Sequence, residues 1–182
     1  MRLILTALFF CFYSFFLANF VNAQENMVAT DQSSTSSATV NSFELFWPIS
    51  AGRTEGDSLY SLKLLKEKIG GFLAFGNTKK ADYAVLLGTK RVLEAEKLLK
   101  DGKINLALKT LDKADSELNS AYAYVKKAGT EGKLEAEKIR RDRLIYVKRL
   151  IDYLKPTSPY NTHQSLDNVK EKADAILRDY LP

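Results

Sequence analysis

TKKADYAVLLGTKRVLEAEKLLKDGKINLALKTLDKADSELNSAYAYVKKA, residues 78–128, is the stretch whose reading decides the fold. Apolar side chains recur three or four positions apart: Ala81, Ala84, Val85, Val92, Ala95, Leu98 and Leu99 before Gly102, and Ile104, Ala107, Leu108, Leu111, Ala114, Leu118, Ala121, Tyr122 and Val125 after it. That period predicts two helices, about 78–100 and 103–128, each with one apolar stripe. Asn77 or Thr78 is the expected cap of the former, and Gly102 and Gly129 are the expected stops. The short link at 101–103 makes the two antiparallel neighbours. Gly88 falls on the stripe, where a missing side chain lets another helix come close; a hinge is the alternative reading.

The same period continues on both sides. Leu59, Leu62, Leu65, Ile69, Phe72 and Leu73 share one face of a first helix, about 58–75, which Gly70 and Gly71 weaken and Gly76 can stop. Ile139, Leu144, Val147, Leu150, Ile151 and Leu154 face inward from a fourth, about 131–155, ended by Pro156. Leu166, Val169, Ala173, Ile176, Leu177 and Tyr180 mark a fifth, about 162–180, in which His163 belongs to the first turn. With a second short link at 128–131, the expected fold is all-α, an up-and-down bundle of about five helices in a domain of residues 43–182. No strand alternation of useful length follows residue 50, and no 34-residue period recurs as a helical solenoid requires.

Ahead of the domain, Arg2 is the only charge before Glu25, and LILTALFFCFYSFFLANFV leads to VNA at 21–23. A basic start, an apolar run and small residues at the last and third-from-last positions predict a signal peptide cut between Ala23 and Gln24. The competing reading is an uncleaved membrane anchor, since the run approaches the ~20 residues that span a bilayer. Either reading exports the rest of the chain. Residues 24–42 hold few large apolar groups and a Ser/Thr-rich centre, the composition of a flexible linker. Cys11, the single cysteine among 182 residues, lies in the apolar run, so the exported part has neither disulfide nor thiol chemistry. The net charge of +5 becomes +4 without Arg2, a mild excess that hints at anionic surfaces without demanding nucleic acid.

TEGDSLYSLK, residues 54–63, contains the tetrapeptide that names a class of serine esterases. That chemistry needs a histidine to take the serine's proton and an acid to orient it, because an unactivated hydroxyl is a poor nucleophile. The single histidine is His163, and Tyr160, not an acid, stands three residues before it. A helix start accounts for the letters better, with Asp57 as N-cap and Ser58 beginning the helix. AGRTEGDS is no phosphate loop either: three residues, not four, separate Gly52 from Gly56, and Asp57 follows where a lysine is needed.

Residues 46–99 resemble the exported bacterial helical domain catalogued as domain of unknown function 5667. The resemblance rests on Gly56, Asp57, Leu59, Tyr60, Leu62 and Lys63, then Lys80 and Ala81, then Arg91, Glu94 and Ala95; it is looser over the third helix and covers little of the fourth and fifth. Proline is frequent in that family where Ser58 stands, which suits the first position of a helix and excludes a nucleophile. The resemblance implies an extracytoplasmic, all-helical module, sometimes found with membrane-anchored regulators, and implies no activity.

Two further features bear on partners. In FELFWPI, residues 43–49, Phe43, Phe46 and Trp47 either pack over the bundle as a strap or stay exposed as a docking site for a membrane or partner protein. The fourth helix carries Lys138, Arg140, Arg141, Arg143, Lys148 and Arg149, either a solvated face or a site for an anionic partner such as a wall polymer, lipid headgroups or extracellular DNA. Lys90 and Arg91 ahead of Glu94, and Lys109 and Lys113 around Asp112, read as ordinary surface pairs. A lone His163 without nearby acids makes no metal site.

The functional expectation is therefore a non-enzymatic, exported interaction or structural module of the cell envelope. Its expected partner is an envelope protein; no cofactor, metal or small-molecule substrate is expected, and nucleic acid is not the expected partner. The alternatives are an anionic polymer or lipid binder acting through Arg140, Arg141 and Arg143, and a serine hydrolase acting through Ser58.

Overall fold

A computed structural model describes residues 41–128 and 134–180. The expected signal segment with its Ala23–Gln24 junction, most of the linker, Gly129 and the Tyr180 side chain lie outside the described residues. Among the described residues six helices follow one another: α1 (Ser42–Phe46), α2 (Tyr60–Phe72), α3 (Asn77–Lys100), α4 (Ile104–Ala128), α5 (Leu134–Leu154) and α6 (His163–Tyr180). Two 3-10 turns, Lys155–Thr157 and Tyr160–Thr162, join α5 to α6. No strand occurs among the described residues, and the fold is the all-α bundle that the periodicity predicts.

The α3–α4 hairpin is the centre of the bundle. Gly102, at φ 71°, closes α3: its N–H reaches the Leu99 carbonyl at 3.0 Å and Lys103 N–H reaches that of Leu98 at 2.8 Å. These bonds satisfy carbonyls that the helix end would otherwise leave unpaired. Gly88 faces α4 so closely that a β-carbon there would lie 2.8 Å from Leu118 Cδ2. α6 packs on α4 and α5, and α5 packs on α3, so four helices enclose one core. Leu111, Leu118, Leu144, Leu150, Ile151, Leu166 and Ile176 are fully buried in it.

The structure differs from the sequence expectation in several places. α4 and α5, consecutive in the chain, are not principal packing partners; α4 turns its second flank to α6. Asn41 and Ser42 belong to the fold, because Asn41 Oδ1 caps α1 by accepting from Phe43 N–H at 3.1 Å. α2 is shorter than expected and stands inside out. Leu62, Ile69 and Phe72, on the face that a bundle helix ordinarily buries, are 61%, 54% and 80% exposed, and Leu59, Leu65 and Leu73 are exposed with them. Ile139, near the start of α5, is likewise exposed.

Candidate functional site

The polar side of α2 explains its orientation. Tyr60, Lys63 and Glu67 follow at i, i+3 and i+7, which places them on one face, and that face meets Arg91 and Glu94 of α3. Glu94 is fully buried. Its Oε1 accepts from Arg91 Nη1 at 2.6 Å and from Lys63, and its Oε2 accepts from Tyr60 Oη at 3.3 Å. Arg91 Nη2 pairs with Glu67 Oε2. The Lys63 ammonium also donates to the Ala51 and Arg53 carbonyls at 2.9 and 2.7 Å, which fixes the loop before α2.

Two acids and two bases thus balance inside the contact, as burial of charge requires. Burial raises the Tyr60 phenol well above its ordinary pKa, and the nearby Glu94 carboxylate raises it further. For Arg91, burial disfavours the cation, but Glu94 and Glu67 together outweigh it and the pKa is raised. Lys113 of α4 pairs with Glu55 at 2.8 Å and lies 5.3 Å from the Tyr60 ring centre, so α4 contributes to the same cluster.

Beside this contact, α2 stands off α3 and α4 across a cleft of about 340 Å³. Leu64, Gly71, Tyr83, Leu87, Arg91 and Glu117 are among its walls, and the buried Oε1 of Glu67, another wall residue, has no hydrogen-bond partner. Gly70 has a steric purpose, whereas a β-carbon at Gly71 would only make ordinary contact with Tyr83, 3.4 Å from Cε1. A β-carbon at Gly70 would lie within 2.9 Å of Tyr83 Cζ, in the space through which Tyr83 Oη reaches the Glu67 carbonyl at 2.7 Å. Burial raises the Glu117 carboxyl above its usual range, the more so because Glu67 is near, while Arg91 opposes the shift.

The residues singled out in the sequence fare unequally. Asp57 does not cap α2: Leu59 holds that position without a side-chain bond, and Asp57 Oδ2 instead accepts from Thr54 N–H at 2.8 Å. Its own carbonyl accepts from Tyr60 N–H at 3.0 Å, which tightens the turn ahead of the helix. Neither Asn77 nor Thr78 caps α3, whose N-cap is Gly76. Ser58 is exposed in the turn before α2, and no hydrogen bond joins it to His163, whose Nε2 lies 3.1 Å from the Ser158 carbonyl oxygen.

The aromatic strap divides. Phe46 is buried edge-on against Tyr146, with ring centres 6.1 Å apart, whereas Phe43 and Trp47 are exposed and meet each other edge-to-face. On α5, Arg140 is buried and its Nε pairs with Asp82 of α3 at 2.6 Å, so it belongs to packing and not to an outward patch. Arg143 is half-buried, with its pKa lowered by burial, and Lys148 pairs with Asp174; Arg141 is exposed. The cations encircle α5, and the inward ones bind neighbouring helices. Among the described residues no group of histidine, cysteine and acidic side chains is placed to hold a metal ion.

The α2–α3 contact departs from the sequence expectation: Arg91 and Glu94 are buried and form no surface pair, and Tyr60, Lys63 and Glu67 make a polar stripe that the apolar period does not register. The signal was present, because four of the five residues, Tyr60, Lys63, Arg91 and Glu94, are among those that carry the family resemblance.

A four-helix core with a charge-docked outer helix defines a class, the small all-helical module. Within that class the chain belongs to the family described as Domain of unknown function (DUF5667), whose model matches residues 52–175 and so reaches into α6. The match extends well past residue 99, where the stretch that carries the resemblance ends. No curated protein and no solved structure matches the chain.

Proposed function

We propose that the protein is a non-enzymatic, extracytoplasmic interaction module of the cell envelope, with the outward apolar face of α2 as its contact surface. The carrying observation is that α2 is held to the bundle by its polar side, which leaves Leu62, Leu65, Ile69, Phe72 and Leu73 in solvent. Contiguous exposed apolar surface of this kind marks interaction sites on folded proteins. The N-terminal apolar run supports export, and the Ser/Thr-rich linker supplies reach.

A photo-crosslinking residue placed at Leu65 tests this in the native envelope, with Gln164, exposed on α6, as control. Position 65 should give discrete adducts that position 164 does not. Equal labelling at both positions would remove α2 as the contact surface.

A further inference from the structure

Building on that reading, we propose that the occupant of the α2 face is the surface of an anionic lipid bilayer. From Leu59 to Lys80 the only acid is Glu67, which is buried against Arg91. The exposed charges of the segment are Lys66, Lys68, Lys79 and Lys80, all cationic. At about 100° per residue, Lys66 and Lys68 border the stripe of Leu62, Leu65, Ile69, Phe72 and Leu73 on its two sides. Phe75, 70% exposed, prolongs the apolar surface beyond the helix end.

Apolar side chains at the centre with lysines at the rim are what an interfacial helix presents to acidic headgroups. α2 has 13 residues, about 20 Å at 1.5 Å each, too short to span a bilayer but long enough to lie along one. No described helix is long and apolar enough to cross a membrane. A second copy of this chain fits the face poorly, because pairing α2 with itself sets lysine rims against each other with no exposed acid on either helix to offset them. The buried contact with α3 keeps the helix preformed, so insertion does not have to be coupled to folding.

The test uses the full chain with Cys11→Ser, labelled with an environment-sensitive fluorophore at Phe72→Cys or, as control, at Gln164→Cys. The label at 72 should be quenched by spin-labelled lipid in phosphatidylglycerol-rich vesicles but require at least tenfold more lipid in phosphatidylcholine. The label at 164 should remain in water even if the N-terminal run anchors the chain. K66E/K68E should raise the half-saturating lipid concentration about tenfold or more, as should high salt.

A label at 72 that stays as accessible with phosphatidylglycerol as without lipid overturns the proposal. If that label is shielded without lipid and the chain sediments as a dimer, the bilayer is the wrong occupant while the contact face stands. If it stays in water in a monomer and position 65 also gives no specific crosslink, both readings fall.

Discussion

A β-carbon at residue 88 would meet Leu118 at 2.8 Å from Cδ2 and 3.0 Å from Cγ, and Leu118 is fully buried. Helix propensity alone favours alanine over glycine by about 1 kcal/mol. Overpacking a closed core costs about 1–3 kcal/mol, so Gly88→Ala should lower stability by about 1 kcal/mol net in urea unfolding. A hinge glycine would give the opposite sign, a gain of about 1 kcal/mol. Glu117 gives a second test at this scale. Its carboxyl is raised by burial, so the folded state binds the proton more tightly than the unfolded state does. Stability from this group is present below the ordinary glutamate pKa and is lost as pH rises through the raised one. Glu117→Gln should therefore be more stable than the parent at pH 7, with the difference vanishing toward pH 4 in thermal unfolding followed across pH.

At the scale of elements, α2 depends on a few buried charges. Glu94→Gln keeps the shape but leaves Arg91 and Lys63 with a neutral partner, and breaking a buried pair costs about 3–5 kcal/mol. Because α2 touches the bundle mainly through this contact, the loss should fall on α2. Amides of residues 60–72 should exchange about 10²–10³-fold faster, the equivalent of about 3–4 kcal/mol, while the α6 core amides stay slow. Uniform acceleration would show that Glu94 supports the core instead. The contrast also explains what was legible in the sequence. α3, α4 and α6 bury their apolar stripes, so period alone located them and nearly all their core residues. In α2 the same period is present, but the five polar side chains of its contact with α3 outweigh it, and a pattern of types does not reveal which side of an amphipathic helix finds a charge-balanced partner. The burial of Arg140 is illegible for the related reason that Asp82, its partner, lies 58 residues away in the chain.

For the whole molecule, core and contact face should be separable. Leu144 is fully buried between helices, and Leu144→Ala should cost about 2–5 kcal/mol through lost transfer energy and the cavity left behind. Ile69 and Phe72 are exposed and bury little, so I69Q/F72Q should change the unfolding free energy by no more than about 0.5 kcal/mol. Urea denaturation with far-UV dichroism measures both. A fold that tolerates I69Q/F72Q yet loses vesicle binding with it places those side chains outside the economy of folding and inside that of contact. A large loss of stability would instead mean that α2 turns its apolar face inward in solution, closing onto the bundle by exchanging the Glu94 contact for a hydrophobic one, and residues 60–72 would then show in the urea slope as surface newly exposed on unfolding.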